Sequence, residues 1–296
     1  KGSRRGCVRP KAGYRLDANP RRLVRAALAE DLGRAGDLST TFFLPAGRTY
    51  RAYVKAKADG VLCGVVPATE ALRQACPRAR IRWLSRDGAR VRPGQVVARL
   101  TGPRCVLTAE RTMLNFLQRL SGVATLARRY ADAVRGTRAK VYDTRKTLPG
   151  WRALDKDAVR RGGAENHRMG LYDMVMLKDN HLAGASPALL ARRVAAFRRR
   201  HPRVPVQVEA GSLAQLRQAL ALKPDLVLLD NMGAPLLRRA IALARREAPR
   251  VKLEVSGGVD LKTVRALAKL GPDRISVGRI THSAPALDLS LKIEAR

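Results

Sequence analysis

The 296-residue chain is poor in acidic and aromatic residues. Asp and Glu number 24 against 59 Lys and Arg, which gives a formal net charge of +35, and only 4% of the residues are aromatic. So few aromatics argue against stacking surfaces for single-stranded nucleic acid, and no helix-turn-helix or zinc-finger spacing accompanies the basic residues. We therefore favour arginine-rich solvated faces, and we keep a nucleic-acid-binding surface as the alternative.

Long apolar runs and paired cysteines are also lacking. Charged residues interrupt every apolar run before it reaches the ~18 residues of a membrane span, so no membrane association is expected. Cys7, Cys63, Cys76 and Cys105 form no C-x-x-C pair and lie outside any disulfide-dense small domain, which favours a reducing cytoplasm. Residues 1–15 are basic, and we predict a flexible tail there, with an organellar transit remnant as the alternative.

The short motifs of several large enzyme classes are missing. The sequence contains no H-E-x-x-H, no G-x-x-x-x-G-K-[ST] and no G-x-G-x-x-G, which excludes zinc hydrolysis, P-loop chemistry and Rossmann-type dinucleotide binding. Hydrophobic residues nevertheless make up 46% of the chain, as in globular proteins. The length allows one large α/β domain or two ordinary ones.

The first part of the chain predicts a small mixed α/β region. Apolar positions in residues 19–32 have helical spacing. Short strand-like runs at 50–56, 60–66 and 91–100 alternate with glycine-containing turns, which favours antiparallel pairing. Residues 108–134 then predict a long amphipathic helix. Its polar side carries four residues at helical spacing, Arg111, Asn115, Gln118 and Gly122.

The second part of the chain predicts repeated βα units and a parallel sheet. Six short apolar runs alternate with helical segments. We predict strands at 139–142, 174–177, 204–208, 226–229, 252–255 and 274–277. Polar or glycine residues follow each strand, and the carboxyl ends of parallel barrel strands meet at one rim, where active sites are built. One such ending is ordinary, but six together indicate a site.

The cations at these strand ends indicate an anionic ligand. Arg145, Lys146, Arg168 and Lys178 are expected at the same rim. Planar Arg side chains suit carboxylates, and Lys serves phosphate as a point charge. We therefore expect a ligand that carries both kinds of group.

Glycine-containing loops and two acids complete this rim. Residues 256–258 (SGG) and Gly278 offer backbone N–H groups to a phosphate, as the last loops of such barrels often do. Glu209 and Asp230 are too few for a metal cage made of protein alone. They suit Mg²⁺, which keeps several waters and binds through one or two carboxylates plus substrate phosphates.

Several longer motifs resemble those of the quinolinate phosphoribosyltransferase family, also called nicotinate-nucleotide pyrophosphorylase (carboxylating). The resemblance spans roughly residues 20–296. Its motifs are 108–122 (TAERTMLNFLQRLSG), 143–147 (DTRKT), 162–163 (GG), 166–168 (NHR), 177–181 (LKDNH), 229–232 (LDNM), 256–258 (SGG), 275–278 (ISVG) and 281–285 (THSAP). The sequence departs from the family pattern at five positions, Asp157, Arg161, Ala164, Gln207 and Gly211.

The resemblance implies a fold, a reaction and an assembly. The fold is an N-terminal α/β sandwich, residues 16–115 joined by 280–296, followed by a seven-stranded TIM-like α/β barrel, residues 116–279. The reaction joins quinolinate to phosphoribosyl pyrophosphate and yields nicotinate mononucleotide, pyrophosphate and CO₂ for NAD biosynthesis. The assembly is a homodimer with shared active sites, or a higher oligomer. A basic nucleic-acid-binding protein on an inactive enzyme fold is the competing hypothesis.

The resemblance also implies a role for each matched residue. Quinolinate binding falls to Thr144, Arg145, His167, Arg168 and Lys178, with Arg111 contributed by the other subunit. Catalysis falls to Lys146, Glu209 and Asp230, the last two also at Mg²⁺. The phosphate groups are expected to bind to Lys146, Lys178, Ser256, Gly257, Gly258 and Gly278.

Overall fold

The N-terminal part of the chain folds around a four-stranded antiparallel sheet. The structure is a computed structural model that describes residues 20–294, so the predicted tail lies outside the described residues. Its elements in chain order are α1 Pro20–Leu32, α2 Leu38–Phe43, β1 Tyr50–Ala56, β2 Gly60–Val61, α3 Val65–Ala75, β3 Arg80–Trp83, β4 Arg90–Val91, β5 Val96–Gly102, α4 Cys105–Thr108 and α5 Glu110–Ala133. The predicted strand 50–56 is confirmed as β1.

A six-stranded parallel sheet with helices follows, as the βα pattern predicts. Its elements are β6 Lys140–Tyr142, α6 Arg152–Gly162, β7 Val175–Leu177, α7 Asp179–Ala183, α8 Pro187–Arg200, β8 Val206–Ala210, α9 Leu213–Ala221, β9 Leu226–Asp230, α10 Ala234–Glu247, β10 Lys252–Ser256, α11 Val264–Lys269, β11 Arg274–Ser276, α12 Arg279–His282 and β12 Leu289–Ile293. The strand order is β6-β11-β10-β9-β8-β7. All six predicted parallel strands are confirmed, within about two residues at their ends.

The seventh barrel position is reduced to one residue. Glu165 forms an isolated parallel bridge with Tyr142 of β6, beyond the edge of the six-stranded sheet. The chain then leaves the sheet, because the His167 N–H donates to the Asp143 carboxylate at 2.7 Å instead of to a neighbouring strand. The loss of one ladder bond places the segment after Glu165 at the rim.

The chain's last described strand returns to the first sheet. β12 pairs antiparallel with β1, and the four-stranded order is β12-β1-β5-β3. Within residues 20–294 no helix has the length and hydropathy of a membrane-spanning segment.

Helix α5 packs against both parts of the fold. The apolar face predicted for it is buried, with Met113, Phe116, Leu117, Leu120, Val123, Ala124 and Ala127 in the core. A Cβ on Gly162 of α6 would lie 2.4 Å from the Ala124 carbonyl oxygen, so only glycine permits this close helix approach. The stacked rings of Phe116 and Trp151, 4.8 Å apart, fix the same junction.

Two predictions in the N-terminal part are wrong. Residues 60–66 do not form one strand, because β2 ends at Val61 and Gly64, with φ +105°, turns the chain into α3. The Asp87 carboxylate accepts the Val65 N–H at 3.1 Å and stabilises that helix start. Residues 91–100 are likewise two strands, β4 and β5, since the chain turns at Gly94, where φ is +84°.

A disulfide was not anticipated from the cysteine spacing. Cys76, at the end of α3, is bonded to Cys105, at the start of α4, whereas Cys63 is a free buried thiol. The separation of 29 positions between the bonded pair hides their proximity in the sequence. The bond is at odds with the reducing environment that the cysteine pattern favours.

We expect Cys76→Ser to lower the free energy of unfolding by about 2–4 kcal/mol under oxidising conditions, since the bond constrains the unfolded chain. Urea unfolding with and without dithiothreitol measures this. Reductant should destabilise the wild-type protein and leave the variant unchanged. An equal response of both proteins would show that the bond does not form in solution.

Candidate active site

A cleft of about 730 Å³ lies at the carboxyl ends of the parallel strands. Twelve of the thirteen residues selected from the sequence line it: Thr144, Arg145, Lys146, His167, Arg168, Lys178, Glu209, Asp230, Ser256, Gly257, Gly258 and Gly278. The thirteenth, Arg111, is outside the lining and exposed on α5. The parallel topology thus brings together side chains that are up to 134 residues apart in the sequence, since the lining runs from Thr144 to Gly278.

Strand alternation divides the cleft into an upper and a lower layer. Side chains two residues apart on a strand point to the same side of the sheet. Lys178, Glu209, Asp230 and Ser256 at the strand ends therefore stand above a lower layer, which contains Met176, Gln207, Leu228 and Glu254 at the positions two residues earlier. Met176, Leu228 and Glu254 also line the floor of the cleft.

Two arginines face the cleft close together. The burial of Arg168 and the positive charge of Arg145 lower the pKa of the Arg168 guanidinium. Its Nη1 donates to the Met174 carbonyl oxygen at 3.1 Å, which holds the side chain against β7. The Arg145 Nε is buried without a protein acceptor. Both groups are therefore suited to bind an anion, which would supply the missing acceptors and offset the repulsion.

The two acids of the upper layer are held by polar neighbours. Lys178 Nζ donates to Glu209 Oε2 at 2.8 Å, and the Glu209 side chain is only 11% exposed. The Ser256 hydroxyl and the Asn231 amide both donate to the Asp230 carboxylate, the latter at 2.9 Å. The two carboxylates are thus held in place on the neighbouring strands β8 and β9, and the Lys178 ammonium lies beside Glu209.

The loop after β10 contains two glycines with a left-handed backbone. Gly257 and Gly258 both adopt positive φ, +98° and +59°. A Cβ on Gly257 would lie 2.1 Å from the Asn231 side-chain oxygen, whereas one on Gly258 would meet nothing within 4 Å. The sequence requirement for glycine at 257 therefore has two causes, conformation and space.

We expect Gly257→Ala to lower the free energy of unfolding by roughly 2–5 kcal/mol, because a left-handed conformation and an overlap are both imposed on the side chain. Gly258→Ala is the matched control and should cost only roughly 1–2 kcal/mol, the conformational part. Urea unfolding of both variants measures the difference. Equal losses would show that the contact with Asn231 is not restrictive.

A buried ion pair supports the segment that carries His167 and Arg168. Lys156 Nζ lies 2.5 Å from Asp143 Oδ1 and 2.9 Å from the His167 carbonyl oxygen, and both charged side chains are at most 1% exposed. Burial raises the pKa of Asp143 and lowers the pKa of Lys156, and their mutual attraction opposes both shifts. The pair fixes the main chain of His167 from two sides.

The polar stripe predicted on α5 is only partly exposed. Gln118 Nε2 donates to the Leu289 carbonyl oxygen at 2.8 Å, and a Cβ on Gly122 would lie 2.1 Å from the Pro285 carbonyl oxygen. The segment before β12 therefore covers these two positions. Arg111 and Asn115 stay exposed, so only the N-terminal end of the stripe is accessible to another subunit.

Sequence reasoning missed several residues that build the site. Arg279 and His282 line the cleft, and a Cβ on Gly278 would approach both Lys146 and His282. Arg279 follows the predicted strand 274–277, and His282 lies in the family motif 281–285, so the sequence already pointed to both segments. Asp143, Lys156 and Glu254 are buried beneath the rim; Asp143 opens the motif 143–147, but the sequence gives no sign that it is buried and pairs with Lys156.

Comparison with protein families gives matches over most of the chain. The family profile described as "Quinolinate phosphoribosyl transferase, C-terminal domain" matches residues 123–292, and the corresponding N-terminal domain profile matches residues 37–121. The chain belongs to the quinolinate phosphoribosyltransferase family.

Relatives of this family member share both sequence and fold. It is 43% identical over 273 residues to the nicotinate-nucleotide pyrophosphorylase [carboxylating] of Mycobacterium leprae, covering 91% of this chain and 95% of the relative. The chloroplastic enzyme of the same name from Arabidopsis thaliana is 37% identical, with 92% of this chain and 82% of the relative covered. The structure of nicotinate-nucleotide pyrophosphorylase from Francisella tularensis aligns with TM-score 0.85 at 39% identity, covering 93% and 96% of the two chains. The Ehrlichia chaffeensis structure, at 32% identity, also has TM-score 0.85, with coverages of 96% and 100%.

Proposed function

We propose that this chain transfers the phosphoribosyl group of phosphoribosyl pyrophosphate to quinolinate, with loss of CO₂, to give nicotinate mononucleotide for NAD biosynthesis. The observation that carries the proposal is the composition of one cleft. Arg145 and Arg168 lie there beside a glycine loop and the two carboxylates Glu209 and Asp230. A dicarboxylate and a sugar phosphate require that combination of groups. The family membership and the names of its relatives point to the same reaction.

The arginine side of the cleft suits quinolinate. Arg145 and Arg168 are positioned to pair with its carboxylates, with Thr144, His167 and Lys178 around them. The C3 carboxylate is the better target for the arginines, since tight binding of the C2 carboxylate would stabilise the ground state of the group that must leave. The arginines therefore orient the ring with its nitrogen towards the ribose.

The glycine side suits phosphoribosyl pyrophosphate. Residues 256–258, Gly278 and Lys146 all line the cleft, so these two loops can offer backbone N–H groups to a phosphate. Lys146 Cδ lies close to the position of a Cβ on Gly278, so the lysine stem crosses directly over this loop. Lys146 would contact a phosphate group bound there while pyrophosphate, the leaving group, departs.

The chemistry divides between these groups. The pyridine nitrogen of quinolinate forms a bond to the anomeric carbon as the bond to pyrophosphate breaks. Lys146 stabilises the negative charge that develops on pyrophosphate, and Glu209 and Asp230 stabilise the positive ribose or bind its hydroxyls. The ring nitrogen is then positively charged, so it stabilises the electron pair that the broken bond to the carboxylate leaves on C2. CO₂ leaves, and C2 takes a proton.

We also propose Mg²⁺ as the cofactor. Glu209 and Asp230 supply carboxylate oxygens, and the described residues 20–294 contain no group of three or more His, Cys, Asp and Glu arranged to hold a metal ion. This donor set suits a cation that keeps waters and binds substrate phosphates. When bound, Mg²⁺ would neutralise charge on the pyrophosphate.

We expect activity to require Mg²⁺ or Mn²⁺ and to survive a zinc chelator that spares Mg²⁺, because no zinc ligand set lies in the cleft. Steady-state rates after exhaustive removal of divalent cations, and after adding back each metal, measure this. Full turnover in the metal-free buffer would contradict the assignment.

We propose a homodimer with shared sites, in which Arg111 reaches the partner's cleft. Supporting it, α2 exposes Leu38, Phe42 and Phe43 by 68%, 83% and 76% of their surfaces, and Leu171 near β7 is 72% exposed. Exposed apolar patches of this kind mark contacts between proteins. Arg111 is exposed on the helix whose other face is buried, so a partner subunit can receive it.

We further propose a cytoplasmic location. Phosphoribosyl pyrophosphate is multiply charged and cannot cross a lipid bilayer unaided. In that reducing environment Cys76 and Cys105 would stay as thiols, and the bond would form after oxidation. Alkylation of freshly lysed cells followed by mass spectrometry distinguishes the two forms.

The proposed reaction is tested by a steady-state assay with quinolinate and phosphoribosyl pyrophosphate. We expect nicotinate mononucleotide and pyrophosphate in equal amounts, with nicotinate a poor substitute for quinolinate. Binding of nucleic acid with no turnover would instead support the competing hypothesis of an inactive enzyme fold.

A further inference from the structure

Glu254 lies in the lower layer of the cleft, two residues before Ser256 on β10. Its side chain is 1% exposed, although it is one of the few acids of a strongly basic chain. Burying a carboxylate is unfavourable unless hydrogen bonds replace water. Gln207 Nε2 donates to Glu254 Oε2 at 3.0 Å, and His167 Nε2 lies 3.2 Å from Oε1. Glu254 therefore links β8, β10 and the loop that carries His167.

The charge state of Glu254 fits this arrangement. Burial raises its pKa, but the interactions with His167, Ser276 and Gln207 outweigh burial, so the pKa lies below the usual value for Glu. The carboxylate is therefore ionised at neutral pH and accepts a hydrogen bond from the Gln207 amide.

Each nitrogen of the His167 imidazole lies close to a neighbouring group. Its Nδ1 accepts the Arg168 N–H at 2.8 Å, so this nitrogen carries no proton. The ring proton is then on Nε2, which faces Glu254 in a short but bent contact that falls outside hydrogen-bond geometry. A small rotation of the ring would align it with the carboxylate.

The ring thereby connects Glu254 to Arg168. The main chain of His167 is already held by Asp143 and Lys156, and Nδ1 holds the N–H of the next residue. The backbone of Arg168 is thus fixed from the floor of the cleft, while its guanidinium is repelled by Arg145 and anchored by the Met174 carbonyl oxygen. Loss of the support beneath His167 would let Arg168 move away from its neighbour.

We propose that Glu254 is a positioning residue for Arg168 and acts through the imidazole of His167. This proposal rests on the proposed function in one respect, since the effect is measured as affinity for quinolinate. His167 then supports the binding residue and does not itself donate to the substrate through its ring.

Two substitutions separate the acceptor from the charge. Glu254→Leu removes the acceptor and should weaken quinolinate binding about tenfold or more, with affinity for phosphoribosyl pyrophosphate unchanged. Glu254→Gln keeps an oxygen for His167, and once the Gln207 amide turns over, the new amide can donate to Gln207 Oε1, which at present is buried without a partner. This variant should stay within about threefold of the wild type. Glu70→Leu, which removes a buried carboxylate of α3 outside the cleft, is the matched control and should bind normally.

A double-mutant cycle tests whether the effect passes through His167. Calorimetric titration of quinolinate is done on the wild type, Glu254→Leu, His167→Ala and the double variant, which does not depend on turnover. In the His167→Ala background we expect Glu254→Leu to change affinity less than about twofold. Additive losses, or normal quinolinate affinity in Glu254→Leu, would overturn the proposal.

A spectroscopic measurement on the wild type covers the case in which Glu254→Leu does not fold. Nitrogen-15 spectra of the histidine-labelled protein at neutral pH, assigned by loss of a signal in His167→Gln, should show His167 protonated on Nε2 only. A proton on Nδ1 would overturn the proposal. These spectra need no substrate, so failure here is distinct from failure of the proposed reaction, in which the wild type would not bind or convert quinolinate.

Discussion

Arg145→Ala and Arg168→Ala are each expected to weaken quinolinate binding about 10- to 100-fold while leaving affinity for phosphoribosyl pyrophosphate nearly unchanged. Each substitution removes charge-assisted hydrogen bonds to a carboxylate, worth about 1.5–3 kcal/mol. The two guanidinium groups are close enough for Arg145 to depress the pKa of Arg168, so both act on the same part of the cleft. Calorimetric titration with each substrate measures the two affinities separately.

Arg192→Ala is a suitable control, because this arginine is exposed on α8 and outside the cleft lining. It removes the same charge from the same strongly basic chain without touching the site. Equal losses for both substrates in Arg145→Ala or Arg168→Ala would contradict the division of the cleft into a carboxylate side and a phosphate side.

Mixing two inactive variants, Arg111→Ala and Lys146→Ala, is expected to restore activity to about one quarter of the wild-type level. Random exchange makes half of the dimers mixed, and each mixed dimer has one site with both native residues, because an isologous dimer donates the same patch in both directions. Lys146 lines the cleft of its own chain and Arg111 does not, so the two residues can come from different subunits.

A second mixture provides the matched control. Here Arg145→Ala is mixed with Lys146→Ala. Both residues line the cleft of their own chain, so every cleft carries one of the two changes and exchange cannot create a native site. This mixture should stay inactive. If the Arg111→Ala mixture also stays inactive after exchange has been demonstrated with labelled subunits, the shared-site proposal fails.

The upper layer of the site was predictable because it coincides with the strand ends. Short apolar runs located β6 to β11, and the polar residues after them fall at one rim in any parallel barrel. Glu209 and Asp230 are 21 positions apart in the sequence, yet the topology alone puts them on neighbouring strands.

The lower layer was not predictable in the same way. Glu254 and Gln207 sit inside β10 and β8, and alternation places them under the rim only once the strand bounds are known. Lys156 pairs with Asp143 across helix α6 and β6, a contact that no local pattern contains. The Cys76–Cys105 bond is hidden for the same reason, since it depends on how α3 packs beside α4.

The start of α3 shows a different limit of sequence patterns. Residues 61–66 are apolar enough to form a buried strand or a helix start, and periodicity over six residues does not separate the two. Gly64 and the Asp87 carboxylate decide the outcome, and Asp87 is 22 positions further along the chain than the Val65 N–H that it accepts.

Quinolinate labelled separately at its two carboxyl carbons gives the most direct test of the account. Incubated with phosphoribosyl pyrophosphate and Mg²⁺, the protein should release labelled CO₂ from the C2 carboxyl only, with one nicotinate mononucleotide formed per CO₂. The C3 label should remain entirely in the mononucleotide, because C3 is not adjacent to the ring nitrogen whose positive charge drives the loss of CO₂. No CO₂, or CO₂ released without mononucleotide, would contradict the proposed phosphoribosyl transfer.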